Sequence, residues 1–332
     1  MEPARESPNA PSDAILEVRG LEVTFATDRG AVKAVDGVSF ALKPGLTLGL
    51  VGESGCGKTV TALALLRLVP PPGRITGGRV LFGGEDLLAL SERAMEDIRG
   101  KRISMVFQEP TTAFNPVLTI GDQIAEALVI HGGAGRAEAH GAAVGMLEKV
   151  GIPDPAERAG TYPHQMSGGM RQRAMIAMAL ICRPDILIAD EPTTALDVTI
   201  QAQILDLMGA MQREFGVAIL FISHDLAVIS EMADEVMVMY AGRVVERAPA
   251  DALLAHPLHP YTQGLIETLP RHGVGRGRLP AIPGTVPDLG ALPDGCRFSD
   301  RCPLADDGCR AADPPLTRAP GGRWVACYKA AP

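Results

Sequence analysis

The sequence predicts an α/β fold built around a parallel sheet, and three observations carry that prediction. Four apolar runs, at 46–52, 102–107, 185–190 and 217–223, have the length and composition of strands buried on both faces. A glycine-rich loop stands directly between the first run and a helix-like segment. From about residue 121 to residue 183, β-branched runs are scarce, which indicates a helical insertion in the α/β body.

Length and composition are those of a globular chain with one large domain and a smaller appendage. The 332 residues are 46% hydrophobic and 21% charged, with a formal net charge of -8. Because Lys and Arg do not cluster, the sequence argues against a nucleic-acid partner. No run reaches the roughly 18 to 20 apolar residues that cross a bilayer, and the polar start is unlike a signal peptide. We therefore expect a cytosolic protein.

Changes in composition divide the chain into three parts. Residues 1–14 are polar and proline-rich, and we expect a disordered leader there. Residues 15–250 form the α/β body, and residues 251–332 form a C-terminal extension. Thirteen of the 27 prolines lie after residue 248, which is typical of a segment that buries little surface by itself.

The strongest motif follows the first strand, where residues 52–59 fit the pattern G-x-x-x-x-G-K-[ST] of a phosphate-binding loop. Its glycines allow backbone N–H groups to wrap phosphates, and the helix start adds the positive end of its dipole. We expect Lys58 to reach the β- and γ-phosphates and Thr59 to bind Mg²⁺. The alternative is a glycine-rich turn that contains a lysine by chance. The predicted ATP-binding residues here are Gly52, Glu53, Ser54, Gly55, Cys56, Gly57, Lys58 and Thr59.

Two carboxylates end the strand at 185–190, and ligands of parallel sheets lie beyond such strand ends. We expect Asp190 to hold Mg²⁺ and Glu191 to orient or deprotonate the attacking water. The alternative is an acid pair that caps a helix before Pro192. The phosphate-binding loop earlier in the chain favours the catalytic interpretation.

Between these motifs, Ser167, Gly168 and Gly169 precede a helix-like segment, where they can form an anion cradle or a plain helix start. The order of motifs resembles that of ABC-type ATPases, and this segment resembles their signature sequence. The family's usual final Gln is Met170 here, a departure that the peptide-importer branch also shows. The resemblance implies that the three residues close over the γ-phosphate of ATP held by a second subunit.

Further family motifs are matched in order between residues 16 and 250. Phe25 resembles the aromatic residue that stacks on adenine, although a Phe in an alternating strand suits a core equally well. Gln108 resembles the Q-loop glutamine, which touches Mg²⁺ and senses the membrane subunit. Ala195-Leu196-Asp197 resembles the D-loop, with Asp197 at the nucleotide, and His224 resembles the switch histidine that holds the γ-phosphate.

The segment at 109–116 contains Phe114 among turn residues. An exposed Phe there would suit a groove that receives a short helix from a transmembrane partner, and the alternative is a loop with one buried anchor. The resemblance favours the partner contact.

The extension contains Cys296, Cys302, Cys309 and Cys327, at spacings unlike the paired knuckles of zinc sites. A reducing cytosol disfavours disulfides, and four thiolates suit iron–sulfur and zinc equally. The segments at 259–270 and 282–289 resemble the C-terminal extension of oligopeptide and dipeptide importer ATPases. That resemblance implies a [4Fe-4S] cluster bound by the four cysteines, with zinc as the alternative, in a structural role.

The resemblance as a whole implies a P-loop ATPase core with a parallel sheet, an antiparallel β subdomain, a helical subdomain at about 110–183 and the small extension. It implies ATP hydrolysis coupled to import of oligopeptides or dipeptides at the cytoplasmic face of the cell membrane. The partners would be two permease subunits, a second ATPase subunit that is either a paralogue or a second copy of this chain, and indirectly an extracytoplasmic binding protein. Nickel and glutathione importers share this branch and are alternatives.

Two rival classes are disfavoured by the sequence. A non-transport ABC protein would carry a long coiled coil or two cassettes in one chain, and this chain has neither. A soluble nucleotide kinase would lack the segment that resembles the signature sequence. The cargo and the choice of partner are not determined by any motif.

Overall fold

The computed structural model describes residues 13–28, 30–194, 196–269 and 281–330, and of Thr111 the backbone alone. Most of the predicted leader at 1–14, and Ala195 of the predicted D-loop, lie outside these residues. The strands are β1 Leu16–Thr27, β2 Gly30–Leu42, β3 Thr47–Val51, β4 Gly73–Phe82, β5 Glu85–Asp86, β6 Ile103–Val106, β7 Ile186–Asp190, β8 Ala218–Ser223, β9 Glu235–Tyr240, β10 Arg243–Pro249, β11 Thr317–Ala319 and β12 Arg323–Val325. The helices are α1 Lys58–Leu65, α2 Glu92–Glu96, α3 Pro110–Ala113, α4 Ile120–Gly132, α5 Arg136–Lys149, α6 Pro155–Ala159, α7 Gly168–Leu180, α8 Val198–Phe215, α9 Leu226–Met232, α10 Ala250–Ala255, α11 Pro260–Glu267 and α12 Asp307–Ala311.

The described residues group into two compact units. The first unit takes its residues from Met1–Leu42, Thr47–Leu88 and Ile222–Pro332, and the second from Lys43–Leu46 and Ala89–Phe221. The first contains the phosphate-binding loop and the extension. The second contains the segments that resemble the Q-loop, the signature sequence and the D-loop.

An antiparallel sheet with the order β2-β1-β4-β5 forms one layer of the first unit. Side chains at Leu16, Val18, Leu21 and Val23 of β1 are buried, whereas Arg19 between them is exposed. Alternation of this kind places one face of a sheet against a core and leaves the other to solvent. The antiparallel β subdomain expected from the family resemblance is therefore confirmed.

The same unit contains β3, which pairs in parallel with β9. All five residues of β3 are buried, as expected for an apolar run covered on both faces. Beyond β9 the pairing becomes antiparallel, because β10 joins β9, β12 joins β10, and β11 joins β12. The proline-rich extension thus contributes two short strands to the edge of a sheet that the ATPase segment begins.

A buried carboxylate fixes the extension to this edge. Glu246 of β10 is fully buried and accepts hydrogen bonds from the backbone N–H groups of Leu258 and His259, each at 2.8 Å. The guanidinium of Arg323 donates a third bond to it at 3.2 Å. Because a buried carboxylate needs such partners, Glu246 holds the chain that enters the extension.

The second unit has a parallel pair, β6 and β7, with Ile103 opposite Ile186, and residues 218–221 of β8 continue the sheet beside β7. Between β6 and β7 the chain forms helices α3 to α7. Thr119 caps the start of α4, and Gly133 ends it in the left-handed conformation at φ 64°. The four strands and the helical insertion predicted from the sequence are confirmed, and each strand is one or two residues shorter than predicted.

No helix in the described ranges is both long enough and apolar enough to pass through a bilayer.

Candidate functional site

The loop from residue 52 to residue 59 joins β3 to α1, which is the arrangement that a phosphate-binding loop requires. Gly57 caps α1 at φ 103°, and a Cβ there would lie 2.4 Å from the carbonyl oxygen of Ala34. A Cβ on Gly52 would lie 2.3 Å from the carbonyl oxygen of Met239. Only glycine fits at both positions, so glycine allows the loop to pass close to its neighbours.

Lys58 is buried, with an exposed fraction of 5%. Its Nζ donates hydrogen bonds to the carbonyl oxygens of Gly52 at 2.7 Å and Glu53 at 3.2 Å, so it spans the loop that it belongs to. Burial raises the pKa of the neighbouring Cys56 thiol, which is therefore neutral at physiological pH. The side chain of Thr59, one residue further along α1, is exposed.

The extension contacts this loop, which the sequence did not predict. The backbone N–H of Glu53 donates a hydrogen bond to the Tyr261 hydroxyl at 2.9 Å. The Glu53 carboxylate accepts two bonds from the guanidinium of Arg301, at 2.7 and 3.0 Å. The only sequence signal for Arg301 was its position directly before Cys302. A local sequence pattern cannot identify an ion-pair partner that is 248 residues away.

Phe25 and His224 also lie in the first unit. Phe25 is half-buried on β1, and its ring stands over Gly73, where a Cβ would come within 2.6 Å of it. The ring is thus only partly covered, which is compatible with a base-stacking role. His224 directly follows β8, and its side chain is exposed.

In the second unit, the carboxylates at the end of β7 have different surroundings. Asp190 is buried, with an exposed fraction of 2%. Glu191 has a left-handed backbone at φ 47°, which is uncommon for a residue other than glycine and is concentrated at functional sites. Its Oε2 accepts hydrogen bonds from Nε2 of Gln108 at 3.2 Å and from the Thr194 hydroxyl at 2.9 Å. The structure therefore brings together Glu191 and Gln108, two residues predicted from separate motifs.

The residues that resemble the signature sequence form the start of α7. The Ser167 hydroxyl caps the helix by accepting from the N–H of Met170 at 3.3 Å, and the space around Gly168 is open. A Cβ on Gly169 would come within 3.1 Å of Ile200, so this helix start lies against the first turn of α8. Asp197 caps α8, because its carboxylate accepts from the N–H of Ile200 at 3.0 Å.

The expectation of an exposed Phe114 is wrong. Its exposed fraction is 3%, and the chain after it is fixed by Gln123, whose amide oxygen accepts from the N–H of Asn115 at 2.7 Å. Turn residues on both sides of Phe114 indicated a surface loop with an exposed ring. The Phe114 ring is instead buried and fixes the loop to the protein. The most exposed apolar residue after Phe114 in this loop is Val117, at 74%, and Leu118 next to it is 39% exposed.

The four cysteines of the extension line one small cavity of about 10 Å³, together with His259 and Phe298. All six cysteines of the chain lie in the described part, and each is a free thiol. Burial raises the pKa of the Cys296 thiol to about 11, so the thiol is protonated unless a cation displaces the proton. Within the described ranges, no group of three or more His, Cys, Asp or Glu side chains is arranged to hold a metal ion. The predicted metal site is thus not confirmed.

The comparison with known proteins covers the α/β body as well as the C-terminal extension. Residues 35–194 match the family model described as ABC transporter, and residues 245–309 match the model described as oligopeptide/dipeptide transporter, C-terminal region. A probable peptide ABC transporter ATP-binding protein of Sinorhizobium fredii is 52% identical, over 98% of both chains. The oligopeptide transport ATP-binding protein OppD of Salmonella typhimurium is 49% identical, over 99% of this chain and 97% of that one.

Solved structures agree with the sequence relatives. The dimeric bacterial ABC transporter cassette MJ0796 superposes with a TM-score of 0.64 and 25% identity, over 71% of this chain and 98% of that one. A post-hydrolysis state of MJ0796, bound to ADP and Pi, gives the same values. The chain therefore belongs to the ABC transporter family, as an ATP-binding protein of the oligopeptide/dipeptide transporter group.

Proposed function

We propose that this protein is the ATP-hydrolysing subunit that powers an importer for oligopeptides or dipeptides. The observation that carries the proposal is similarity along almost the whole chain, extension included, to proteins named for peptide transport. Glu191 and Gln108, which are hydrogen-bonded to each other, and the loop at 52–59 are residues of the kinds that ATP hydrolysis needs. Nickel and glutathione are alternative cargoes, because the importers of these solutes share the same branch of the family.

In this proposal, the loop at 52–59 and the start of α1 bind the phosphates, and Lys58 turns its ammonium from the loop carbonyls toward the β- and γ-phosphates. Thr59, Gln108 and Asp190 would hold Mg²⁺, which would supply positive charge at the phosphates. Glu191 accepts a proton from the attacking water, and His224 holds the γ-phosphate. Phe25 stacks on the adenine.

Two ATPase subunits complete each other's sites. Ser167, Gly168 and Gly169 at the start of α7, with Asp197 beside them, close over the ATP that the other subunit binds. The assembly would lie at the cytoplasmic face of the cell membrane, beneath two permease subunits that receive cargo from an extracytoplasmic binding protein. Binding of ATP closes the pair, and hydrolysis with product release reopens it.

Transport by the purified complex tests the proposal. The full chain is co-expressed with its candidate permeases and partner ATPase, and the complex is placed in lipid vesicles with Mg-ATP on the side of the ATPase subunits. We expect ATP-dependent movement of labelled di- and oligopeptides. Movement of nickel or glutathione alone would select the alternative cargo, and absence of ATP turnover in the assembled complex would refute the proposal.

The loop around Val117 offers a test of membrane-subunit docking that Phe114 does not. Because Phe114 is buried, Phe114→Asp would destabilise the fold, whereas Val117 is 74% exposed and its replacement by Asp leaves the core intact. We expect Val117→Asp to weaken copurification with the permeases and to leave ATP binding unchanged. The matched control is Ile130→Asp, at 67% exposure near the other end of α4. Equal loss of the permeases with both variants would contradict docking at Val117.

We also propose that the four cysteines of the extension bind a [4Fe-4S] cluster, with zinc as the alternative. All four thiols line the same cavity, which supports a shared ligand. That cavity has room for about one water molecule, so the side chains must turn outward to admit a cluster. A cluster there would act as a structural staple, because thiolate ligation adds binding free energy to the folded state.

Colour distinguishes the two metals. Protein purified without oxygen should be brown, and Cys302→Ser should bleach it and lower its melting temperature. Cys182→Ser is the matched control, because Cys182 is a free thiol of the second unit and its loss should leave the colour unchanged. Colourless protein with one equivalent of zinc would show that the cysteines bind zinc instead of a cluster. Protein without either metal would refute the proposed metal site.

A further inference from the structure

We propose that Arg301 of the extension is a positioning residue of the phosphate-binding loop, which neutralises Glu53 and thereby enables the loop to accept the phosphates of ATP. This inference rests on the proposed ATP hydrolysis. It concerns a residue outside every nucleotide motif of the sequence, in a segment that the sequence indicated was only structural.

The negative charge of Glu53 opposes the binding of phosphates, and the Arg301 cation neutralises that charge. Glu53 is the second residue of the loop that binds the phosphates in the proposed function, so it adds a negative charge to a loop that must accept several negative phosphate oxygens. Like charges repel strongly where protein excludes water, and this repulsion weakens binding of an anion. A carboxylate paired with a cation adds little net charge to the site.

The guanidinium of Arg301 is the cation that pairs with Glu53. Its side chain is only 4% exposed, against 32% for Glu53, and it meets the carboxylate with two hydrogen bonds at 2.7 and 3.0 Å. Bidentate pairing of this kind fixes direction as well as distance. The Nε atom of Arg301 donates to the carbonyl oxygen of Pro283 at 2.8 Å, so the guanidinium is held from its other side.

An aromatic cluster of Tyr240, Tyr261 and Phe298 supports both the arginine and the loop. The Arg301 guanidinium lies 5.7 Å from the ring centre of Tyr240 and 5.9 Å from that of Phe298. The Tyr261 ring packs edge-on against Tyr240 at 4.7 Å, and its hydroxyl accepts the backbone N–H of Glu53 at 2.9 Å. Two separate contacts from one packed cluster therefore reach the same loop residue.

This cluster also adjoins the four cysteines. Phe298 and His259 line the cysteine cavity, and the rings of these two residues lie 5.8 Å apart. Arg301 directly precedes Cys302, and its N–H donates to the carbonyl oxygen of Phe298 at 3.0 Å. The chain that lines the cavity is thus the chain that places the guanidinium on Glu53.

Opposite effects of two neutralising variants distinguish a charge role from plain stability. Arg301→Gln leaves the Glu53 carboxylate uncompensated, and we expect the Kd for Mg-ATP to rise on the order of tenfold. Glu53→Gln removes the negative charge instead and leaves the Arg301 cation, and we expect the Kd to fall. If the pair served only stability, the two variants would weaken ATP binding alike, because each breaks the same ion pair.

The double variant and a matched control complete the experiment, which uses the full chain, titration calorimetry with Mg-ATP and steady-state kinetics. We expect Glu53→Gln to restore ATP affinity in the Arg301→Gln background, and the KM for ATP to change far more than kcat. Arg323→Ala is the control, because Arg323 is an extension arginine, with a side chain 12% exposed, whose ion pair is with Glu246. Its Kd for Mg-ATP should match that of the wild type.

Three results would overturn the inference: an unchanged Kd in folded Arg301→Gln protein, a double variant that binds as weakly as Arg301→Gln, or an equal loss in Arg323→Ala. If Arg301→Gln does not fold, Glu53→Gln decides by itself, since weakened ATP binding in that variant contradicts the charge role. Wild-type protein that fails to hydrolyse ATP in the assembled complex would instead refute the proposed function.

Discussion

Replacement of Glu191 by Gln should reduce ATP turnover by a factor on the order of 10² to 10⁴, the usual contribution of a general base. The amide cannot take a proton from water. Its oxygen can still accept hydrogen bonds from Gln108 and Thr194, which contact Glu191 at 3.2 and 2.9 Å, so the local structure should persist. We therefore expect a normal Kd for Mg-ATP and a paired state of the two ATPase subunits that persists because ATP is not cleaved.

The measurement is phosphate release under saturating Mg-ATP, together with the Kd and the melting temperature. Glu214→Gln is the matched control, because the same change in the same unit removes only an exposed ion pair with Lys149. Its turnover should equal that of the wild type. Turnover by Glu191→Gln at the wild-type rate would show that another group activates the water.

Replacement of Lys58 by Ala should weaken Mg-ATP binding roughly ten- to hundredfold, since a charge-assisted bond to phosphate contributes about 1.5 to 3 kcal/mol. The structure adds a second effect. The Lys58 ammonium bonds to the carbonyl oxygens of Gly52 and Glu53, so its loss should also cost about 1 to 2 kcal/mol of stability.

Binding titrations and denaturant unfolding of the nucleotide-free protein separate the two effects. Lys33→Ala is the control, because it removes a half-exposed lysine of the same unit that pairs with Glu22 and Asp36 on the β1–β2 sheet. Neither its Kd for Mg-ATP nor its unfolding free energy should change appreciably. If Lys58→Ala lost stability but bound ATP normally, Lys58 would be a structural residue of the loop.

Features with a local cause were predictable from the sequence. The strands β3, β6, β7 and β8 follow from short apolar runs, because burial on both faces requires them. The loop at 52–59 follows from spacing, because glycine is needed where Met239 and Ala34 approach it. Both patterns can be recognised from residues that are neighbours along the chain, although Met239, which accounts for Gly52, is distant in sequence.

Features that depend on distant contacts were not predictable. The burial of Phe114 was missed because turn residues around an aromatic ring indicate a surface loop, whereas the space that receives the ring comes from the folded second unit. The pairing of Arg301 with Glu53 was missed for the same reason. Hydrophobic period and motif spacing describe neighbours along the chain, and neither specifies which side chains meet after folding.

The distance along the chain between Glu53 and its partner also affects the order of events during synthesis. Arg301 follows Glu53 by 248 residues, which a ribosome adding about 5 to 20 residues per second reaches only after roughly 12 to 50 s. Until then, the nascent phosphate-binding loop carries a carboxylate without its counter-ion. If Arg301 neutralises Glu53 as proposed, an incomplete chain would bind ATP weakly until the extension has been translated and folded.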